Sequence, residues 1–225
     1  MNKFLLTVSA LIASCTLSTM NARAGNETHF ESLKPYIGFD LQLTSLEYTD
    51  NFNLGGGLAL DGDAILEDQF YGGKIHVGIR PSKRLGLELG YFRTLEEDKD
   101  IAAGTLVGPG TVAATAFSTD FLLQGITLDA MSYWPLGSEE RFELIGSAGV
   151  SWTIADFALN VPGSTRSEVD ESEFGLRAGL GAQAHINDRL NIRGLAQYQT
   201  ADFDGLIDNM WVYSLGMNYK LQKNQ

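Results

Sequence analysis

Apolar and polar residues alternate along eight stretches of this 225-residue chain. The last stretch is the plainest. Trp211, Tyr213, Leu215, Met217, Tyr219 and Leu221 interleave with Val212, Ser214, Gly216, Asn218 and Lys220. Side chains on a strand alternate faces with period two, so this spacing predicts a strand with one apolar row and one polar row. The other predicted strands cover about Pro35–Thr44, Gln69–Arg80, Leu85–Thr94, about Asp120–Trp134, Arg141–Thr153, Glu173–Ile186 and Leu190–Thr200. In the third, Leu85, Leu87, Leu89 and Tyr91 oppose Gly86, Glu88, Gly90 and Phe92. In the sixth, Phe174, Leu176, Ala178, Leu180 and Ala182 oppose Arg177, Gly179, Gly181, Gln183 and His185.

The links between these stretches alternate in length. Pro81–Arg84, Pro135–Glu140 and Asn187–Arg189 are short. The intervening links, about Ser45–Asp68, Leu95–Thr119, Val161 or an earlier residue to Glu171, and Ala201–Asp208, are long. Short turns on one rim and long loops on the other, joining strands of about 9–11 residues, are the pattern of a transmembrane barrel. We expect an all-β fold, an eight-stranded antiparallel up-and-down transmembrane β-barrel, with its apolar rows facing lipid. A soluble eight-stranded barrel gives the same alternation with the faces reversed. The fourth stretch is irregular at its start, where Phe121 and Leu123 fall on the polar side. A bulge or an end beyond the bilayer explains this.

The N-terminus favours the membrane reading. Lys3 precedes an apolar run, Phe4–Ser14, too short to span a bilayer as a helix. Ala22-Arg-Ala24 before Gly25 fits small-x-small cleavage, so residues 1–24 read as a secretory signal peptide cut between Ala24 and Gly25. Ile12-Ala-Ser-Cys15 resembles a lipobox and competes with that site. Cys15 is the only cysteine, so the chain cut at Gly25 has no disulfide and no thiolate metal site. We expect residues 25–34 to form a periplasmic N-terminal segment, 35–221 one barrel domain, and 222–225 a polar tail.

Charge then sorts partners and faces. The formal net charge is −12, and loss of Lys3 and Arg23 with the signal takes it to −14. That excludes the basic footprint of a nucleic-acid binder. The apolar rows named above carry no Asp, Glu, Lys or Arg, although 20% of the chain is charged. The opposite rows carry Asp40, Lys74, His76, Arg80, Glu88, Asp129, Glu143, Arg177, Arg193 and Lys220. Inside an eight-stranded barrel, whose interior is just wide enough to be filled by side chains, these predict a structural charge network. Tyr71, Tyr91, Trp134, Trp152, Trp211 and Tyr219 sit toward strand ends and predict interfacial aromatic girdles.

The chain resembles the opacity-type, OmpA-like outer-membrane β-barrel family of Gram-negative bacteria. The likeness is carried by Pro35-Tyr-Ile-Gly-Phe39, Leu85-Gly-Leu-Glu-Leu-Gly-Tyr91, Leu128-Asp-Ala-Met-Ser-Tyr-Trp-Pro135 and Ser214-Leu-Gly-Met-Asn-Tyr219. It implies a cell outer-membrane location, with lipid, lipopolysaccharide and the barrel-assembly machinery as partners. The family usually ends its last strand on an aromatic residue, whereas this chain ends Tyr219-Lys-Leu221 and adds Gln-Lys-Asn-Gln225. We expect no peptidoglycan-binding segment after the barrel.

Chemistry is sparse. The histidines are His29, His76 and His185, and no Gly-x-Ser-x-Gly or His-Glu-x-x-His motif is present. We therefore expect no catalytic residues, no metal and no cofactor. The long links are acidic: Glu47, Asp50, Asp61, Asp63, Glu67 and Asp68 around Gly55–Gly57, then Glu96, Glu97, Asp98 and Asp100, then Asp156, Glu168, Asp170 and Glu171. Solvated loops explain them, as does divalent-cation binding. The apolar Leu106–Val112 segment is placed to touch a host surface or the membrane rim. The expected role is a non-enzymatic surface barrel, structural or adhesin-like, that engages a host or surface ligand through its loops. The alternatives are a narrow pore for small solutes and a lipid-modifying enzyme.

Overall fold

The computed structural model describes residues 34–48, 52–53, 59–108, 110–137, 141–163, 166–201, 203 and 207–221. The signal segment with Ala24 and Gly25, Cys15, His29, Gly55–Gly57 and the tail 222–225 lie outside them. Eight antiparallel strands close a ring: β1 (Lys34–Tyr48), β2 (Gln69–Arg80), β3 (Leu85–Thr94), β4 (Phe117–Leu136), β5 (Phe142–Asn160), β6 (Ser167–His185), β7 (Leu190–Thr200) and β8 (Ile207–Lys220). Each pairs with its sequence neighbours, and β8 pairs with β1, so no barrel edge is left open at membrane depth.

The register fixes the shape of the ring. Crossing it strand by strand runs Pro35, Ile79, Leu87, Ala130, Ala148, Ala178, Tyr198, Trp211 and back to Ser45. The walk returns ten residues further along β1. With about 3.3 Å per residue and about 4.8 Å between strands, that stagger tilts the strands by about 40° and gives about 2.5 Å of height per residue.

At membrane depth the apolar row faces outward. Ile37, Phe39, Leu41, Ile75, Leu89, Leu180, Leu215 and Met217 are all exposed, while Asp40, Lys74, Glu88, Asp129, Arg177 and Arg193 are buried inside. This is the inverse of a soluble barrel, because lipid rather than water is the outer solvent. Arg93 also lies on the outward row, near the long-loop end of β3, where a cation in a barrel wall costs least.

β2, β3 and β7 match their expected bounds. β4, β5, β6 and β8 run further toward the long-loop end than expected. Paired from Asn160↔Ser118 down to Phe142↔Leu136, β4 and β5 contain no bulge. The irregular start of β4 is therefore an end beyond the bilayer. Above the membrane the faces invert. Phe121, Leu123 and Ala155 point inward and are buried, with Leu46, Phe70, Phe92, Ile207 and Met210 from other strands. A single helical turn, α1 (Gly62–Ile65), adds Ile65 and its successor Leu66. Val107, in a small hairpin of Leu106–Gly108 with Thr111–Val112, adds a further side chain, as does Phe203. Thr119 Oγ1 donates to the Ile65 carbonyl and Lys99 Nζ to the Leu66 carbonyl, both at 2.6 Å, which pins this apolar plug over the lumen. The expectation that Leu106–Val112 lies open is thus corrected at Val107, which points into the plug, while Leu106 and Val112 stay exposed. The extended ends of β4–β6, with Glu97–Ile101 paired to β4, form a fin that continues the barrel wall outward.

Candidate functional site

Glycines on the inward rows decide where charge fits. A Cβ on Gly38 would lie 2.2 Å from His76 Nε2, and one on Gly216 would lie 2.1 Å from an Asp40 oxygen. With those positions bare, six charges of alternating sign link across the lumen. Asp40 accepts from Arg193 at 2.6 Å, and Arg193 also donates to Glu88 at 2.6 Å. Lys74 Nζ is 3.3 Å from both Glu88 and Asp129. Arg177 Nε is 3.1 Å from Asp129 Oδ1 without hydrogen-bond alignment, so this last contact is an ion pair only. His76 sits beside them, 3.3 Å from Asp40 and 2.7 Å from Asn218 Oδ1. Three acids meet three bases, and all are nearly inaccessible. Such a layer is costly to assemble and costlier to break, since a lone buried charge loses several kcal/mol.

The expected lumen residues thus divide into two groups. Asp40, Lys74, His76, Glu88, Asp129, Arg177 and Arg193 form the central layer. Arg80 and Glu143 lie lower, at the short-turn mouth, where Arg80 makes a two-pronged contact with Glu143 at 3.1 and 3.2 Å and stacks 3.8 Å over the Tyr133 ring. Gln183 Nε2 donates to the same carboxylate, and His185 Nε2 lies 3.3 Å from it. Between the groups lie Met131, Tyr133, Ile145 and Leu195. The Tyr36 hydroxyl, donating to Glu88 at 3.2 Å, links the two levels. Below this floor a cavity of about 530 Å³ opens at the mouth.

Outside, the expected girdle residues face lipid in two tiers. Trp134 and Tyr219 lie near the short turns, with Phe142 beside them. Trp152, Trp211 and Tyr71 lie near the long loops. Eight residues separate Trp211 from Tyr219, about 20 Å of height. Tyr91 is lower than the upper tier, and its hydroxyl reaches Gln124 at 3.0 Å. Phe174 and Tyr198 join the upper tier unanticipated. Phe174 stacks on Trp152, and Tyr198 packs edge-on against Trp211. Their outward register was visible in the sequence.

The fin is acidic on its outer side. Glu96, Asp98 and Asp120 bring carboxylate oxygens within 4.8 Å of one another. Arg166 meets them, 3.0 Å from Asp120 and 3.9 Å from Glu96, and is 2.9 Å from Glu168. The cluster therefore already holds a cationic side chain. Asp156 stands directly opposite Asp170, and burial together with that neighbour raises the Asp156 carboxyl above its ordinary value.

Residues 7–220 match the family model described as the outer membrane protein beta-barrel domain. No curated protein sequence matches the chain significantly. Among solved structures, the chain is similar to Neisserial surface protein A, at 15% identity and a TM-score of 0.54, covering 85% of this chain and all of that one. It is also similar to a major outer membrane protein of Thermus thermophilus, at 14% identity and a TM-score of 0.52, covering 82% of this chain and 99% of that one. These likenesses concern the fold, and they agree with the eight-stranded ring. The chain belongs to the outer-membrane β-barrel domain family and resides in the outer membrane.

Proposed function

We propose that this protein is a non-enzymatic surface barrel that presents its acidic fin outward in a structural or adhesin-like role. The observation carrying this reading is the fin itself. β5 continues eight residues past Trp152, about 26 Å of paired strand above the upper aromatic tier. Paired strands hold a surface rigidly at low entropic cost on binding. The central layer and the plug both fill the lumen, which opposes the pore reading. His76 is walled into the central layer, away from any lipid-facing substrate, which opposes the lipid-modifying reading. The barrel is taken to reach the membrane through the assembly machinery, with lipopolysaccharide around its upper tier.

The test compares cells displaying the full chain with cells displaying a variant in which 156–171 is replaced by a short turn. Attachment to epithelial cells or matrix should fall in the variant while its heat-modifiable gel shift persists. Equal attachment by both would contradict the proposal. Conductance steps in planar bilayers would favour the pore, and altered lipid A masses the enzyme.

A further inference from the structure

β6 pairs with β5 from Ser167 to Ala184, but with β7 only from Arg177 onward. Among the described residues, Ser167–Gly175 has no strand on its second side, which leaves about 30 Å of open edge on the fin. The β7–β8 link is too short to cover it. Six residues join Thr200 to Ile207, and Ala201 and Phe203 among them are buried in the plug. The end of the β6–β7 ladder marks which backbone groups the edge presents. Leu176 N–H donates to Thr200 Oγ1 at 2.9 Å, and its carbonyl accepts from that hydroxyl at 3.5 Å. Along an antiparallel strand, successive residues turn their N–H and C=O to opposite sides. Leu176 thus marks the side away from β5, and Glu168, Asp170, Ser172 and Phe174 share it. The Glu173 carboxylate accepts from the Phe174 N–H at 3.2 Å. The N–H and C=O groups of Glu168, Asp170 and Ser172 meet no strand on that side among the described residues.

Resting on the surface-interaction reading above, we propose that this edge takes its partner by strand addition, and that the partner is a basic, extended peptide segment. In this mode main-chain hydrogen bonds supply affinity and alternate side chains supply specificity. The edge has no proline and no bulge to block it. Its charges choose the partner. Arg166 pairs with Glu96, Asp120 and Glu168, which leaves Asp170 and Glu173 without a cation among the described residues. Asp170 also stands directly opposite Asp156. A cationic strand laid beside β6 meets that charge, whereas a second copy of the edge would set acid against acid. Phe174 lies on the same face as Asp170, four residues away, and is 78% exposed. The partner therefore carries a cation and, four residues from it, a large apolar side chain.

The probe is an acetylated, amidated heptapeptide, Ile-Lys-Thr-Thr-Lys-Val-Thr, titrated onto the full barrel refolded in phosphatidylcholine nanodiscs. Paired antiparallel with residues 168–174, it sets Ile beside Phe174 and Lys beside both Glu173 and Asp170. We expect a dissociation constant of about 1 mM or tighter. At about ten times that concentration, hydrogen exchange at the Asp170 and Ser172 amides should slow about tenfold. Exchange at Val169 and Glu173, whose amides face β5, should not change. Ser172→Pro removes one edge N–H without touching the β5 ladder and should weaken binding about tenfold, with the gel shift verifying its fold. The same peptide N-methylated at its third and fifth residues keeps both lysines and should not bind. Equal binding by the methylated peptide, or no slowing at Asp170 and Ser172, overturns strand addition. If attachment still falls when 156–171 is removed, the surface reading then stands without it; if attachment is unchanged as well, both fall.

Discussion

Arg193 holds both Asp40 and Glu88 in a layer that water does not reach. Replacing it with leucine leaves buried Asp40 beside His76 alone and buried Glu88 with Lys74 as its remaining cation. Arg193→Leu should destabilise the barrel by about 3–5 kcal/mol. Urea titration in lipid vesicles, followed by tryptophan fluorescence, measures this; a loss below about 1 kcal/mol would mean the network is not closed to water. Glycine positions separate space from sequence type. Gly38→Ala drives a methyl into His76 and should cost about 1–3 kcal/mol. Gly194→Ala meets nothing nearer than 3.8 Å and should stay within about 0.5 kcal/mol. Which residues share the lumen was legible from period two alone. Which carboxylate meets which cation was not, because partners such as Arg193 and Asp40 are matched by the ten-residue stagger of the closed ring, and a single strand does not encode it.

At the scale of elements, strand bounds were legible where lipid enforced them. β2, β3 and β7 lie almost wholly in the membrane, so one rule of alternation reads them from end to end. β4, β5 and β6 leave it. Past Trp152 the outer solvent is water again, so Asp156 and Asp170 face out and Ala155 and Phe121 face in. An expectation built on one polarity fails there for a physical reason. Phe121 and Leu123 on the supposed polar side were the available signal. Two consequences follow for the fin. Arg166 joins Glu96, Asp120 and Glu168, so Arg166→Ala should increase hydrogen exchange at Asp98–Ile101 and Ser118–Asp120 while the membrane-depth amides stay protected. Asp156 has a raised folded-state pKa, so the folded fin binds its proton more tightly than the unfolded chain does. Fin stability should therefore rise as pH falls through the range just above the ordinary carboxylate value, and should not change with this group above that range. Asp170→Asn removes the neighbouring charge and should weaken that dependence, leaving the part due to burial, in amide exchange at Ala155–Asp156.

The whole molecule is a ring sorted by solvent. Apolar rows meet lipid, paired charges fill the middle, and an apolar plug closes the outer end. The eight-stranded topology was legible because the short and long links alternate. The plug was legible only at its strand members such as Phe121 and Leu123, because the residues that cap it come from α1, the Leu106–Val112 hairpin and Phe203, which carry no strand pattern. Which solvent each face meets separates this ring from a soluble barrel and from an open pore. The sole cysteine, Cys15, precedes the barrel, so single cysteines can be placed through β8 from Trp211 to Lys220, leaving Gly216 bare, in a Cys15→Ser background, spin-labelled and scanned for accessibility in lipid vesicles. Odd positions should be reached by oxygen and shielded from a water-soluble nickel reagent, while Val212, Ser214 and Asn218 should be shielded from both. Nickel access at the odd positions would show a soluble barrel, and nickel access along the even row would show an open pore; either result would contradict the sealed, lipid-facing ring.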